Sequence, residues 1–202
     1  MSKEHFYQYL LANEAKAIRR WHMSMNAAPS DREKEGIHKA SSGQRARLCR
    51  ADSIPGLMMT DGFRILWEQL QELDEARSDD EKQSSIHFRY GPQAWACIAG
   101  VLATVRDNHP KSLAQLAGAP DGNDSVVSEL RFQQLQSAVD EEELLRRLRR
   151  LMLMLDRTVS LSRMADDILC WYAEHNERVP REVEKRIALK WATEYYQAAN
   201  KK

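Results

Sequence analysis

Residues 143–156 read ELLRRLRRLMLMLD. On a helix of about 100° per residue, Leu144, Leu145, Leu148, Leu151, Met152 and Leu155 fall within an arc of about 120°, the width of a core-facing stripe. Arg146 and Arg150 lie nearly opposite that stripe, and Arg147 and Arg149 flank them. Asp140 suits the cap of this helix, and Glu141, Glu142 and Glu143 place negative charge in its first turn, where it complements the helix dipole. Period-two alternation, the mark of a half-buried strand, is hard to find here or elsewhere in the chain. The expectation is an all-α protein.

Further helices are expected over residues 3–25 (stripe Phe6, Leu10, Ile18, Trp21), 44–51, 62–73, 92–108, 111–117, 126–137, 161–175 and 180–199. Ser125 suits the cap of the sixth, and Pro180 the first turn of the last. Residues 26–39 read as a loop. So do residues 75–85, the centre of an acidic run (residues 68–82) with seven acids and two bases. Residues 118–124 combine Gly, Pro and Asp, which favour turns, and are the best linker. Two small helical domains are therefore expected. Residues 1–118 carry the basic helix and the acidic loop, and residues 125–202 form a four-helix domain, a short antiparallel bundle.

Catalytic patterns are missing. The 202 residues hold no phosphate-binding glycine loop, no dinucleotide fingerprint, no His-Glu-x-x-His and no nucleophile elbow. The six histidines are scattered, and none is at metal-ligand spacing with another His or a Cys. Cys49, Cys97 and Cys170 lie far apart among apolar neighbours and read as small core hydrophobes. Asp166 and Asp167 are adjacent, so on a helix they point about 100° apart and cannot face one site. They read as a solvated face. No enzyme, cofactor or metal is expected. No apolar run approaches the ~18 residues of a membrane helix, and the N-terminus lacks a signal-peptide block, so a cytoplasmic protein is expected.

Thirty basic and thirty acidic residues cancel, so any affinity for nucleic acid must rest on local charge. Two readings of Arg146, Arg147, Arg149 and Arg150 stand side by side. In one they are a solvated face paired to Glu142 and Glu143 at i, i+4. In the other they form a phosphate-tracking surface, because guanidinium stays charged and grips phosphate with two donors. Lys39, Arg45, Arg47 and Arg50 form a second basic segment without an acid, and Ser41, Ser42 and Gly43 would leave the first amides of its helix open to a phosphate. Arg19 and Arg20 are a weaker candidate. Leu153 and Met154 project from the core stripe and suit contact with another subunit.

Several segments occur in a familiar order: SGQRARLCRA from Ser42, SELRFQQLQSA from Ser128, DEEELLRRLRRLMLML from Asp140, DDILCWY from Asp166 and KWATEYY from Lys190. Together, over residues 39–197, they resemble the small subunit of the type I-E CRISPR surveillance complex Cascade, the CasB family. The resemblance implies a non-catalytic, two-domain helical subunit. Its partners would be the large subunit, the backbone subunits that hold the guide RNA, and a second copy arranged head to tail. Its basic surfaces would support the crRNA–target duplex and the displaced DNA strand. By position, Arg45, Arg47 and Arg50 match the first basic helix of that family, Arg131 a basic residue before Phe132, and Arg146, Arg147, Arg149 and Arg150 its paired-arginine helix. Leu130 and Gln134 stand where further bases are frequent, so fewer bases are expected around Arg131. The acidic residues 68–81 read as an insertion. Two other classes remain beside it. One is a helical adaptor without a nucleic-acid role, using Leu153, Met154 and the Trp/Tyr-rich end. The other is a helix-turn-helix regulator, which lacks a convincing recognition helix.

Overall fold

A computed structural model describes residues 7–76, 86–176 and 179–200. Among them are eleven α-helices: α1 (Ala12–Asn26), α2 (Pro29–Lys34), α3 (Ser42–Arg50), α4 (Ile54–Met58), α5 (Asp61–Glu75), α6 (Ile86–Leu102), α7 (Leu113–Ala117), α8 (Glu129–Gln136), α9 (Glu141–Met154), α10 (Leu161–His175) and α11 (Ile187–Ala199). Extended structure among the described residues is limited to two short pairs. Strand β1 (Asp107–Asn108) runs parallel to β4 (Thr158–Val159), and β2 (Pro120–Asp121) runs antiparallel to β3 (Asp124–Ser125). The all-α expectation holds. No described helix is long and apolar enough to cross a membrane.

Helices α4, α5, α7, α9 and α10 start where short polar side chains satisfy their open amides. Thr60 Oγ1 accepts from the Phe63 N–H at 3.2 Å, and Asp140 Oδ1 from that of Glu143 at 2.7 Å, as its position suggests. Helix α6 is central. Trp95, Cys97, Ile98, Val101 and Leu102 are wholly buried, and α3, α4, α5, α9 and α10 all pack on it. One continuous cluster of buried apolar side chains runs from Leu10 to Tyr195, fed by helices on both sides of residues 118–124. Those residues form a tight hairpin, with Gly122 in the left-handed region at φ 62°.

Several expectations need correction, each for a long-range reason. Residues 7–11 are not helical: the Asp166 carboxylate accepts the amides of Gln8, Tyr9 and Leu10, so α1 begins only at Ala12. Expected helical residues 3–6 lie outside the described residues, as does most of the expected loop 75–85. Within the expected loop 26–39, Pro29 opens the short helix α2. The buried helix expected to reach Asn108 ends at Leu102, because the amides of Arg106 and His109 pair with Arg157 and Val159 carbonyls. Ser125 caps nothing: the Val126 and Val127 amides bond back to Ala119 and Ala117, which delays α8 to Glu129. Helix α11 starts at Ile187 rather than Pro180, after a 3₁₀ turn at Val183–Lys185.

Asp166 and Asp167 are not a solvated face; they are 2% and 0% exposed. They hold different segments yet both reach Lys190 Nζ, at 3.4 and 2.6 Å, so the expectation that these neighbours cannot face one group fails. Asp166 holds the N-terminal segment, and Asp167 accepts from Lys190 Nζ at 2.6 Å and Trp191 Nε1 at 2.9 Å on α11. Burial works against the Lys190 charge, yet Asp167 and its acidic neighbours outweigh it and raise the lysine above its ordinary pKa. Cys97 and Cys170 are core residues as expected, but Cys49 is exposed. In α3 it is Leu48 that turns inward, and Cys49 Sγ lies against the Ala103 carbonyl at 3.4 Å.

Candidate nucleic-acid interface

The α9 stripe packs inward as its period requires: Leu144, Leu145, Leu148 and Met152 are wholly buried, and Leu151 and Leu155 nearly so. That fixes the opposite side. Arg146 and Arg150 stand exposed, with no hydrogen-bond or ion-pair partner among the described residues. Arg147 is half-buried. Its Nη2 lies 2.5 Å from Glu143 Oε1 and its Nη1 donates to Ser137 Oγ at 2.8 Å. Glu143 also accepts the Val139 N–H at 2.9 Å; that bond first, and Arg147 after it, hold its carboxyl below the usual range. Glu142 turns instead toward the Ile54 amide at 3.5 Å. So of the two possible i, i+4 pairs only Glu143–Arg147 forms, and Arg146 is left uncompensated.

Helix α8 brings in the fourth cation. Phe132 stacks on Tyr195 at a centroid distance of 4.7 Å, Leu135 is buried, and Tyr195 Oη donates to the Val127 carbonyl at 2.6 Å. These anchors leave Arg131 exposed beside α9. Arg131, Arg146, Arg147 and Arg150 then line one groove of about 420 Å³ between α8 and α9, with Glu143 the only carboxylate among its described lining residues. Gln134 also lines it. The family resemblance implied few bases around Arg131; the fold joins that residue to the α9 arginines. Gln134 could have been found from its spacing, since it lies at i+3 from Arg131 on the same helix face.

Arg149 takes a different course from its neighbours. Its guanidinium turns inward and donates to the carbonyls of Ala51 (2.6 Å), Leu48 (2.7 Å) and Gly100 (2.9 and 3.0 Å). Burial opposes its charge and lowers its pKa from the ordinary arginine value. Gly100 makes room for it. A Cβ there would lie 2.6 Å from Leu57 Cδ1 and 3.1 Å from Arg149 Nη2.

The α3 residues divide similarly. Arg45 Nε reaches the Ala103 carbonyl at 2.9 Å, at the C-terminal end of α6. Arg47 pairs with Asp61 across 3.2 Å, both side chains being well exposed. Such a pair contributes under about 1 kcal/mol and yields readily to a phosphate. Arg50 is exposed and spends only Nε, on the Ala46 carbonyl of its own helix. Lys39 lies elsewhere, in a groove of about 330 Å³ that it shares with Arg20 and with Ser41, where α3 begins without a side-chain cap. Arg20, the weaker sequence candidate, joins Lys39 only through the fold. Among the described residues no cluster of metal-ligating side chains occurs.

These residues can do one kind of chemistry well. Exposed guanidinium groups in a groove pair with phosphate oxygens and need no particular base. The family model described as CRISPR-associated protein Cse2 matches residues 44–196, a span that holds the candidate arginines of α3, α8 and α9 but not Lys39, Arg19 or Arg20. No curated protein and no solved structure matches the chain.

Proposed function

The chain belongs to the CRISPR-associated Cse2 family, and from that membership we propose that it is the non-catalytic small subunit of a cytoplasmic type I-E Cascade complex. In this reading it grips the nucleic-acid backbone without reading sequence, and so stabilises the R-loop and the displaced DNA strand. The observation that carries the reading is the groove of Arg131, Arg146, Arg147 and Arg150, with Glu143 the single carboxylate among its described lining residues. Arg146 and Arg150 stand about 6 Å apart along α9. That span is close to two steps of one strand, whose phosphates follow at about 3.4 Å of axis each. Arg47, Arg50 and Lys39 supply further cations along α3 and before it.

The energetics favour so modest a device. An R-loop exchanges one duplex for another of similar stability, so a few backbone contacts tip the balance. Zero net charge suits a subunit that binds nucleic acid only weakly outside its assembly. Leu130, Val139 and Leu153 are 68%, 72% and 60% exposed on or beside the same two helices. They support a role for partners there: the large subunit, the backbone subunits or a second copy. They also favour the second reading, an adaptor that binds protein alone.

The deciding experiment replaces Arg146 and Arg150 by alanine in an assembled complex. We expect a shorter R-loop lifetime, and a salt dependence flatter by about 1.4–1.8 in the log–log slope, the share of two phosphates on a single or a double strand. An unchanged slope and lifetime would leave α9 a solvated face and favour the adaptor.

A further inference from the structure

We infer that Arg149 is a positioning residue: it locks the basic helix α3 onto α9 and is not itself a phosphate ligand. Its functional consequence rests on the groove being a phosphate track; its structural part does not.

A guanidinium has five N–H donors. Arg149 commits Nε and both hydrogens of Nη2 to Leu48 and Gly100, and one of Nη1 to Ala51. One donor remains, too few for the paired grip that gives arginine its advantage on phosphate. The acceptors are telling. Leu48 and Ala51 provide carbonyls at the end of α3, where a helix lacks internal partners and carries partial negative charge. Gly100 belongs to α6. One cation therefore joins three helices, Arg149 and Ala51 being 98 positions apart in the chain. Lysine, a point charge with no planar fork, cannot serve all three carbonyls in this way.

The consequence lies in the neighbours. Ala51 follows Arg50, and Arg149 precedes Arg150. The contact that withdraws Arg149 from solvent thus brings the backbones of two exposed arginines close together. Arg45, bonded to Ala103, tethers α3 to the end of α6 as a second anchor. The basic end of α3 and the basic face of α9 become one surface through a cation that the surface does not use.

The test uses the full chain and two variants, Arg149→Met and Arg149→Lys, the second guarding against a failure of the first to fold. Amide hydrogen exchange across residues 44–51 should quicken in both variants and stay unchanged in Arg150→Ala. Binding is read at low salt with fluorescein-labelled oligothymidylate. Arg50→Ala should weaken it about threefold in the wild-type background and have no further effect with Arg149→Met, while Arg150→Ala keeps its own loss of about threefold in both. A merely structural defect would not remove the Arg50 effect and spare that of Arg150. Unchanged exchange in α3, or losses from Arg149→Met and Arg50→Ala that multiply, would overturn the inference. If the wild-type chain does not bind oligothymidylate, the phosphate-track reading fails, and exchange in α3 alone decides the place of Arg149.

Discussion

The Asp166 carboxylate accepts the backbone N–H of Tyr9 at 2.8 Å across 157 residues of chain. Gln8 and Leu10 donate to the same group at 3.2 and 3.0 Å, and Lys190 Nζ lies 3.4 Å away. One nearly buried side chain thus holds the N-terminal segment to α10, and Asp167 beside it holds α11.

Replacing Asp166 by alanine strands amides and leaves Lys190 with Asp167 alone. The expected cost is about 3 kcal/mol. For a chain of this size that lowers Tm by roughly 6–12 °C. Exchange of the amides of residues 8–10 should rise more than that of α9. A melting curve that overlays the wild type would show that other acceptors replace the carboxylate.

Glu143 is the one carboxylate among the described residues of the arginine groove. Glu143→Gln keeps an acceptor for the Val139 amide but releases Arg147 from its ion pair. Affinity for single-stranded DNA should rise about threefold, with a steeper salt dependence. Fluorescence anisotropy across a salt series reads both. Weaker binding would mean that Arg147 works only when Glu143 holds it in place.

Two glycines make a controlled comparison. Gly100→Ala drives a methyl to 2.6 Å from Leu57 Cδ1 and 3.1 Å from Arg149 Nη2, so a loss of about 1–3 kcal/mol is expected. Gly43→Ala meets nothing within 4 Å in α3, and should be neutral or stabilising by up to about 1 kcal/mol. Urea unfolding of the two variants measures the difference. Equal effects would remove the packing role given to Gly100.

His22 is buried, with Nε2 3.0 Å from the Val105 carbonyl. Burial, the largest influence, lowers its pKa from 6.5. The unfolded chain then takes up a proton at higher pH than the folded one. The contribution of the neutral ring is complete above pH 6.5 and fades as pH falls through 6.5 toward the folded value. The slope it adds is at most about 1.4 kcal/mol per pH unit. In His22→Gln, which keeps an N–H donor, stability between pH 5 and about 6.5 should depend less on pH than in the wild type. Parallel pH profiles for the two proteins would show that the ring is protonated in the fold as well.

Much of the architecture follows from local pattern. The α9 stripe, the Asp140 cap and the exposure of Arg146 and Arg150 can all be read along one helix, because period and capping depend on neighbours within four residues. The α8 stretch is legible in the same way, with Phe132 and Leu135 inward and Arg131 outward. The fates of Arg147 and Arg149 are not. Both flank the same face of the wheel. Yet one stays by Glu143, a turn away, and the other leaves for carbonyls on α3 and α6.

The sequence by itself therefore determined the all-α class, most of the helices, and two basic segments in an otherwise neutral chain. Only the tertiary structure decided which arginines face solvent together. It joined Arg131 to α9 and turned Arg45 and Arg149 into struts. It also buried Asp166 and Asp167 where the local pattern suggested a wet surface. The physical reason is range. Apolar periodicity records which face of a helix turns inward. Which carbonyl or amide a charged side chain meets depends on packing between elements separated by scores of residues, and no local spacing encodes that choice.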